Sequence, residues 1–309
     1  MTLTIGQPVE PAGGASRRRV VGTLRDLIDD RAGLLGGIIM GLVVVVGLFG
    51  PLLAPHDPAR QDLARRLVPP AWIHGGSWSN VLGTDGLGRD VLSRILHGGR
   101  ITLVVGVLVC VVAGTVGVLA GLVAGYRGGH TDSAIMTILD TQLAFPGLLL
   151  VLMILALIGP SVGAVILLLG INGWMVYARL VRGITLSMRE LPYISAARLM
   201  GCGAPRVVFR HILPNLAAPL LTLVMLEFAR IVLAEAALSY LGYGVQPPSV
   251  SWGLMVSEGQ QYIRIAWWTI TFPGLAIALT VIGINLFASW LRVQSDPRAK
   301  EARYAWSAG

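Results

Sequence analysis

The sequence predicts an all-α, polytopic membrane protein with six transmembrane helices, and three observations predict it. Only 13% of the 309 residues are charged, against about 25% in an ordinary soluble domain. The chain is 54% hydrophobic, with a mean hydropathy of +0.72. Apolar runs of about 20 residues, enough to cross a bilayer as helix, recur along it. The formal charge of +8 reads as membrane topology rather than nucleic-acid binding, because Arg accumulates on the cytoplasmic side of membrane proteins. Cys110 and Cys202 are not placed to pair, and neither has a His or Cys at metal-ligand spacing. No metal site is expected.

Residues 1–33 are polar, with Arg17-Arg18-Arg19 and Asp29-Asp30, and lack the apolar core of a cleaved signal peptide. They read as a cytoplasmic segment. The first span is expected at 34–54, followed by an extracytoplasmic loop over 55–100. In that loop Asp90 is a candidate N-cap, Arg94 lies one turn on, and Gly98-Gly99 can end the helix, which predicts a short interfacial helix. A phosphate loop is excluded, since GxxxxGK[ST] occurs nowhere. A five-helix core over 101–291 follows, with spans at 101–125, 134–158, 162–181, 215–239 and 267–291. It contains a cytoplasmic segment at 183–214, and a cytoplasmic tail closes the chain at 292–309. Gly114, Gly117, Gly121, Asn172 and Asn285 read as helix-packing positions. With both termini inside, most of the 24 Lys and Arg residues lie inside, among them Arg127, Arg182, Arg189, Arg198, Arg206 and Arg210.

Residues 193–215, YISAARLMGCGAPRVVFRHILPN, are more elaborate than a connector requires. Tyr193, Ala196, Ala197 and Met200 repeat at helical spacing. Gly201 and Gly203 can end that helix, Pro205 can start another, and Pro214 closes the segment. This predicts a helix–turn–helix bracket with a small-residue surface edged by Arg; the alternative is an amphipathic connector on the lipid surface.

The stretch resembles the cytoplasmic signature of membrane subunits of ATP-binding-cassette importers: Glu-Ala-Ala, a Gly four residues beyond the second Ala, and Leu-Pro. The match falls on Ala196, Ala197, Gly201, Leu213 and Pro214. Ser195 stands where the signature has Glu, so the usual charged contact is missing. The resemblance implies a coupling helix, with Ser195, Ala196, Ala197, Met200, Gly201, Cys202 and Gly203 against an ATPase. GTDGLGRDVLSRILHGGR (83–100), Asp132, Asp140, Phe145-Pro146, AEAALSYLGYGVQPPSVSWG (234–253), FPGLAIAL (272–279) and Asp296-Pro297-Arg298 are similar to the dipeptide, oligopeptide and nickel permeases. Thr137 replaces an expected Arg. The ordered set resembles the "C-type" membrane subunit of a peptide permease.

That resemblance implies a type I importer permease fold and a cell-membrane location. It also implies a homologous second permease subunit, two cytoplasmic ATPases that bind ATP and Mg, an extracytoplasmic substrate-binding protein and a peptide substrate. The chain itself would be no enzyme and hold no cofactor. A nickel or other small-solute permease is the alternative; an ion-coupled secondary transporter would leave the bracket unexplained.

Charged residues in spans are costly and normally face the bundle interior. Asp140, Glu227, Arg230 and Glu235 are therefore pathway candidates, and Glu227 and Arg230 can pair at i, i+3. A structural ion pair and a polar translocation wall both remain open. After the fifth span, Gly242 and Gly244 permit a sharp exit, and Pro247-Pro248 stiffen the chain. Trp252 suits a membrane–water boundary. This is either a rigid turn with an anchor, or an outer gate where the binding protein docks.

Overall fold

The computed structural model describes residues 26–28 and 30–295. The expected N-terminal segment before residue 26 and the tail beyond residue 295 lie outside the described residues. Helix α1, Arg31–Leu53, starts where the Asp30 carboxylate accepts the Ala32 N–H at 3.1 Å. An irregular segment with one 3-10 turn, Leu63–Arg65, leads to α2, Val91–Arg127. The remaining helices are α3 (Gly129–Leu143), α4 (Gly147–Ile158), α5 (Val162–Arg189), α6 (Pro192–Leu199), α7 (Ala204–Val207), α8 (Ala217–Tyr240), α9 (Trp252–Gly259) and α10 (Trp268–Ser295). Among the described residues, five helical stretches are long and apolar enough to span a membrane, and the bent pair α3–α4, taken as one span, makes a sixth.

Three expectations are corrected. The interfacial helix and the second span are one helix of 37 residues, about 55 Å long at 1.5 Å per residue. Asp90 caps it as expected, accepting the Ser93 N–H at 2.8 Å, but Gly98 and Gly99 do not end it. They clear space for an indole. A Cβ on Gly98 would lie 3.0 Å from Trp252 Cδ1, and one on Gly99 2.7 Å from Val46 Cγ1. The third span is not straight either: α3 and α4 meet at 78°. Pro146 causes the break, since it disfavours helical geometry at Phe145 and has no N–H to donate. Lastly, the second arm of the bracket is no separate helix. Helical backbone continues from Ala204 through a π-turn (Val208–Ile212) and a 3-10 turn (Leu213–Leu216) into α8.

The largest helix interface joins α2 and α5. Gly117, Gly121 and Gly125 lie one turn apart on α2, and α5 backbone presses against each. A Cβ on Gly121 would sit 2.6 Å from the Ala178 carbonyl, and one on Gly125 2.9 Å from that of Arg182. Small residues let helices approach this closely in lipid, where apolar area itself provides no drive to associate. Gly117 and Gly121 are expected packing positions. Gly114 is looser, with Tyr177 Cε1 at 3.7 Å. Asn285 is exposed on α10. The α1 helix packs on α10 and α2, with Leu35, Ile38, Leu42 and Leu48 on its exposed flank.

Candidate functional site

At one end of the bundle lies the bracket. Pro192 occupies the first turn of α6, where its missing N–H costs nothing. Ile194 and Ala197 turn inward and are buried, and Ile194 joins Leu122, Val181, Met188, Val207, Ile212 and Leu216 in one buried cluster. Tyr193, Ser195, Ala196, Leu199 and Met200 face outward; Leu199 is 90% exposed and Met200 79%. Gly201 sits at φ +85°, a conformation that glycine adopts without strain. Its N–H reaches the Arg198 carbonyl at 2.9 Å, and the Cys202 N–H reaches that of Ala197 at 3.0 Å. That pair of bonds is a Schellman cap, which fixes the turn. Arg198 lies 5.0 Å over the Tyr126 ring. Spacing put Ala197 on the same face as Tyr193 and Met200; the structure buries it, and exposes Leu199, which the spacing did not single out.

The bracket carries its basic fringe on fixed partners. Arg182 clasps Asp132 bidentately, with Nε–Oδ1 2.5 Å and Nη2–Oδ2 2.7 Å. Arg189 donates to the Gly125 carbonyl at 3.0 Å, while Arg206 and Arg210 are exposed.

Along the helices, the four pathway candidates separate into three settings. Asp140 on α3 accepts from Arg179 on α5 at 3.0 Å, both exposed. Glu227 and Arg230 on α8 pair as expected: Arg230 Nε and Nη2 both reach Glu227 Oε2, at 2.9 and 2.6 Å. Glu227 is buried, whereas the Arg230 side chain is 54% exposed. Glu235 is buried in a polar knot. Ser239 Oγ–H donates to it at 2.6 Å, and that oxygen accepts the Val245 N–H at 3.0 Å and the Ser251 hydroxyl at 3.2 Å. Glu235 thus tethers the segment after α8 to its helix. A groove of about 380 Å³ runs beside Arg230, lined also by Asn172, Leu148, Leu169, Ile231 and Leu233.

At the opposite end, residues 55–90 and 241–266 fold together as a cap. Its apolar centre is Val91, Val250, Trp252, Met255, Ala266 and Trp268. Trp252 is therefore no interfacial anchor. It is 3% exposed, and its indole N–H donates to the Ile95 carbonyl at 2.9 Å. Beside it Arg94, buried, reaches Asp85 and, at 2.7 Å, Glu258. Arg89 contacts the same two carboxylates at 2.6 and 2.9 Å. This four-residue cluster was missed in the sequence, where Glu258 lies 164 residues from Arg94 in a different loop. The signal present was a lone acidic residue, Glu258, in a largely uncharged stretch between the fifth and sixth spans. Gly242 takes φ +84°, and Gly244 is packed against Ser239. Pro247 and Pro248 are exposed on the rim.

Bilayer-length helices, a span broken at its middle, and a folded structure at each end define a polytopic α-helical membrane protein of the permease class. Residues 117–301 match the family described as binding-protein-dependent transport system inner membrane component. Residues 21–70 match the N-terminal TM domain of oligopeptide transport permease C. The chain belongs to the binding-protein-dependent inner-membrane transport permeases. It is 41% identical over 271 residues to the di/tripeptide transport system permease protein DppC of Pseudomonas aeruginosa, covering 87% of this chain and 89% of that protein. It is 43% identical over 272 residues to the dipeptide transport system permease protein DppC of Escherichia coli K12, covering 88% and 91%. The corresponding Haemophilus influenzae protein is 35% identical over 273 residues, covering 88% and 92%.

Proposed function

We propose that this chain is one of two homologous membrane subunits of an ATP-driven importer of di- or oligopeptides. It works with two cytoplasmic ATPases and an extracytoplasmic binding protein. ATP and Mg are held by the ATPases, so this chain converts their closure into helix movement and catalyses nothing itself. Both termini and the bracket face the cytoplasm, the cap faces outward, and the Arg-rich fringe of the bracket supports that orientation. The names of the relatives support peptide as the substrate.

The observation that carries this reading is the bracket itself. Leu199 and Met200 stand exposed beside a glycine-capped turn, and helical backbone runs from Ala204 straight into α8. Exposed apolar side chains on a rigid support suit a groove in a partner, because little entropy is lost on docking. Ser195, Ala196, Gly201, Cys202 and Gly203 shape that contact, and Ala197 supports it from behind. A push at the bracket reaches α8, where Glu227 and Arg230 lie; Asp140 belongs to the same polar route, and Glu235 secures its outer end. Gly242, Gly244, Pro247 and Pro248 form the rim of the outer gate, with Trp252 beneath.

The test uses Leu199→Asp and Met200→Glu, which place charge on the exposed face and leave the buried cluster intact. In the reconstituted complex, peptide uptake should fall about tenfold, the equivalent of about 1.4 kcal/mol of lost coupling. Assembly and membrane insertion should be unchanged. Wild-type uptake in both variants would remove the bracket from the coupling route.

A further inference from the structure

We infer that the groove beside Arg230 is a subsite for the C-terminal carboxylate of the transported peptide; this rests on the peptide-importer reading above. The groove is lined by Leu148 of α4, Leu169 and Asn172 of α5, and Arg230, Ile231 and Leu233 of α8. It therefore lies where the break in the third span meets the helix continuous with the bracket. Its polar side chains are Arg230 and Asn172. Arg230 spends Nε and Nη2 on one oxygen, Oε2 of Glu227, which leaves its Nη1 donors uncommitted. The side chain is half exposed to the groove. Asn172 Nδ2 is buried without a hydrogen-bond partner. A Cβ on Gly147 would come within 2.6 Å of Asn172 Oδ1, so glycine at the start of α4 makes room for the amide.

A guanidinium with free donors in a mostly apolar wall selects an anion, and its planar fork matches a carboxylate in particular; the unpartnered Asn172 amide adds a second donor to the lining. The only charged side chain in the described lining is the Arg230 cation, which repels a peptide ammonium and attracts a carboxylate. The neighbouring Leu148, Leu169, Ile231 and Leu233 would receive the C-terminal side chain. The existing pair with Glu227 also tempers the site. An isolated cation in lipid surroundings would hold a carboxylate too firmly, whereas a shared one binds weakly enough to release it, as a transport path requires.

The experiment uses the complete transporter in lipid vesicles with its binding protein and a labelled Leu-Leu dipeptide. The quantity read is dipeptide imported per ATP hydrolysed. Import by the wild-type complex tests the peptide-importer reading by itself; only the variants test the subsite. Arg230→Gln, and the double variant Glu227→Gln with Arg230→Gln that leaves no unpaired buried charge, should both lower this ratio about tenfold. Arg230→Lys should recover part of it, because it keeps the charge but not the fork. Asn172→Leu should lower it about threefold, the worth of one hydrogen bond. A ratio unchanged in the double variant overturns the subsite, including the case where uptake and hydrolysis fall together.

Discussion

Arg94 is the side chain on which the cap depends most. It is 1% exposed, yet it bridges Asp85 and Glu258 from two segments far apart in sequence. The pair of carboxylates and the pair of guanidiniums neutralise one another, which is the condition under which buried charge is tolerated. Removing one cation leaves two carboxylates facing a single Arg89. Arg94→Met should therefore destabilise the protein by about 3–5 kcal/mol, read as a lowered unfolding midpoint in detergent. Asp62, whose ion pair with Arg65 is exposed, supplies the contrast: Asp62→Asn should change that midpoint little, since exposed pairs contribute about 0–1 kcal/mol. An equal response from the two variants would refute the assignment. Glu258's part in the cluster was not legible, because pairing across 164 positions leaves no local pattern.

At the scale of elements, apolar run length located two helix starts to within a turn, those where Asp30 and Ser161 each accept an N–H. The helix that Asp90 caps starts ten residues before the expected span. Length could not report what happens inside a run. Gly98-Gly99 looks like a stop signal, but tertiary packing of Trp252 supplies another reason for two small residues, and the helix runs on. Phe145-Pro146 was legible as a motif and carried its own steric warning, yet an uninterrupted apolar composition hid the bend. In the bracket, Gly201 did what its sequence position predicts. The inward face of α6 was misjudged by one residue, because eight residues are too few for periodicity to fix a phase. The π-turn at Val208–Ile212 has no sequence signal of this kind; such turns widen a helix by one residue and often accompany function.

Taken whole, the molecule has two differently built ends joined by tightly packed helices. The bracket end is narrow, basic and apolar at its tip. The cap end is broad, and indole hydrogen bonds and a buried ion cluster knit it together. Their separation gives a direct check on orientation. In intact cells, a cysteine introduced by Ser249→Cys on the cap should react with a membrane-impermeant thiol reagent, while native Cys202 in the bracket should react only after permeabilisation. Labelling of Cys202 in intact cells would invert the proposed topology. The candidate site was half legible in the same sense: the charged residues of α8 announce themselves in an apolar run, but the groove beside them is assembled from three helices.

The broken third span carries a consequence for solitary existence. No side chain caps the start of α4, so the first N–H groups after Pro146 have no helical acceptor. In hydrocarbon each unsatisfied backbone group costs several kcal/mol, and irregular backbone persists there only when protein or a water-filled cavity covers it. The exposed pair of Asp140, on the preceding helix, with Arg179 of α5 is equally unsuited to lipid. One flank of this chain is thus incompatible with the bilayer that the other flank requires. On the proposed pairing with a second permease, the protein made alone should be cleared by membrane proteases, and made together with that sister subunit it should persist. Pulse-chase measurement of its lifetime with and without that sister decides the matter, and equal lifetimes would mean that lipid alone can satisfy the break.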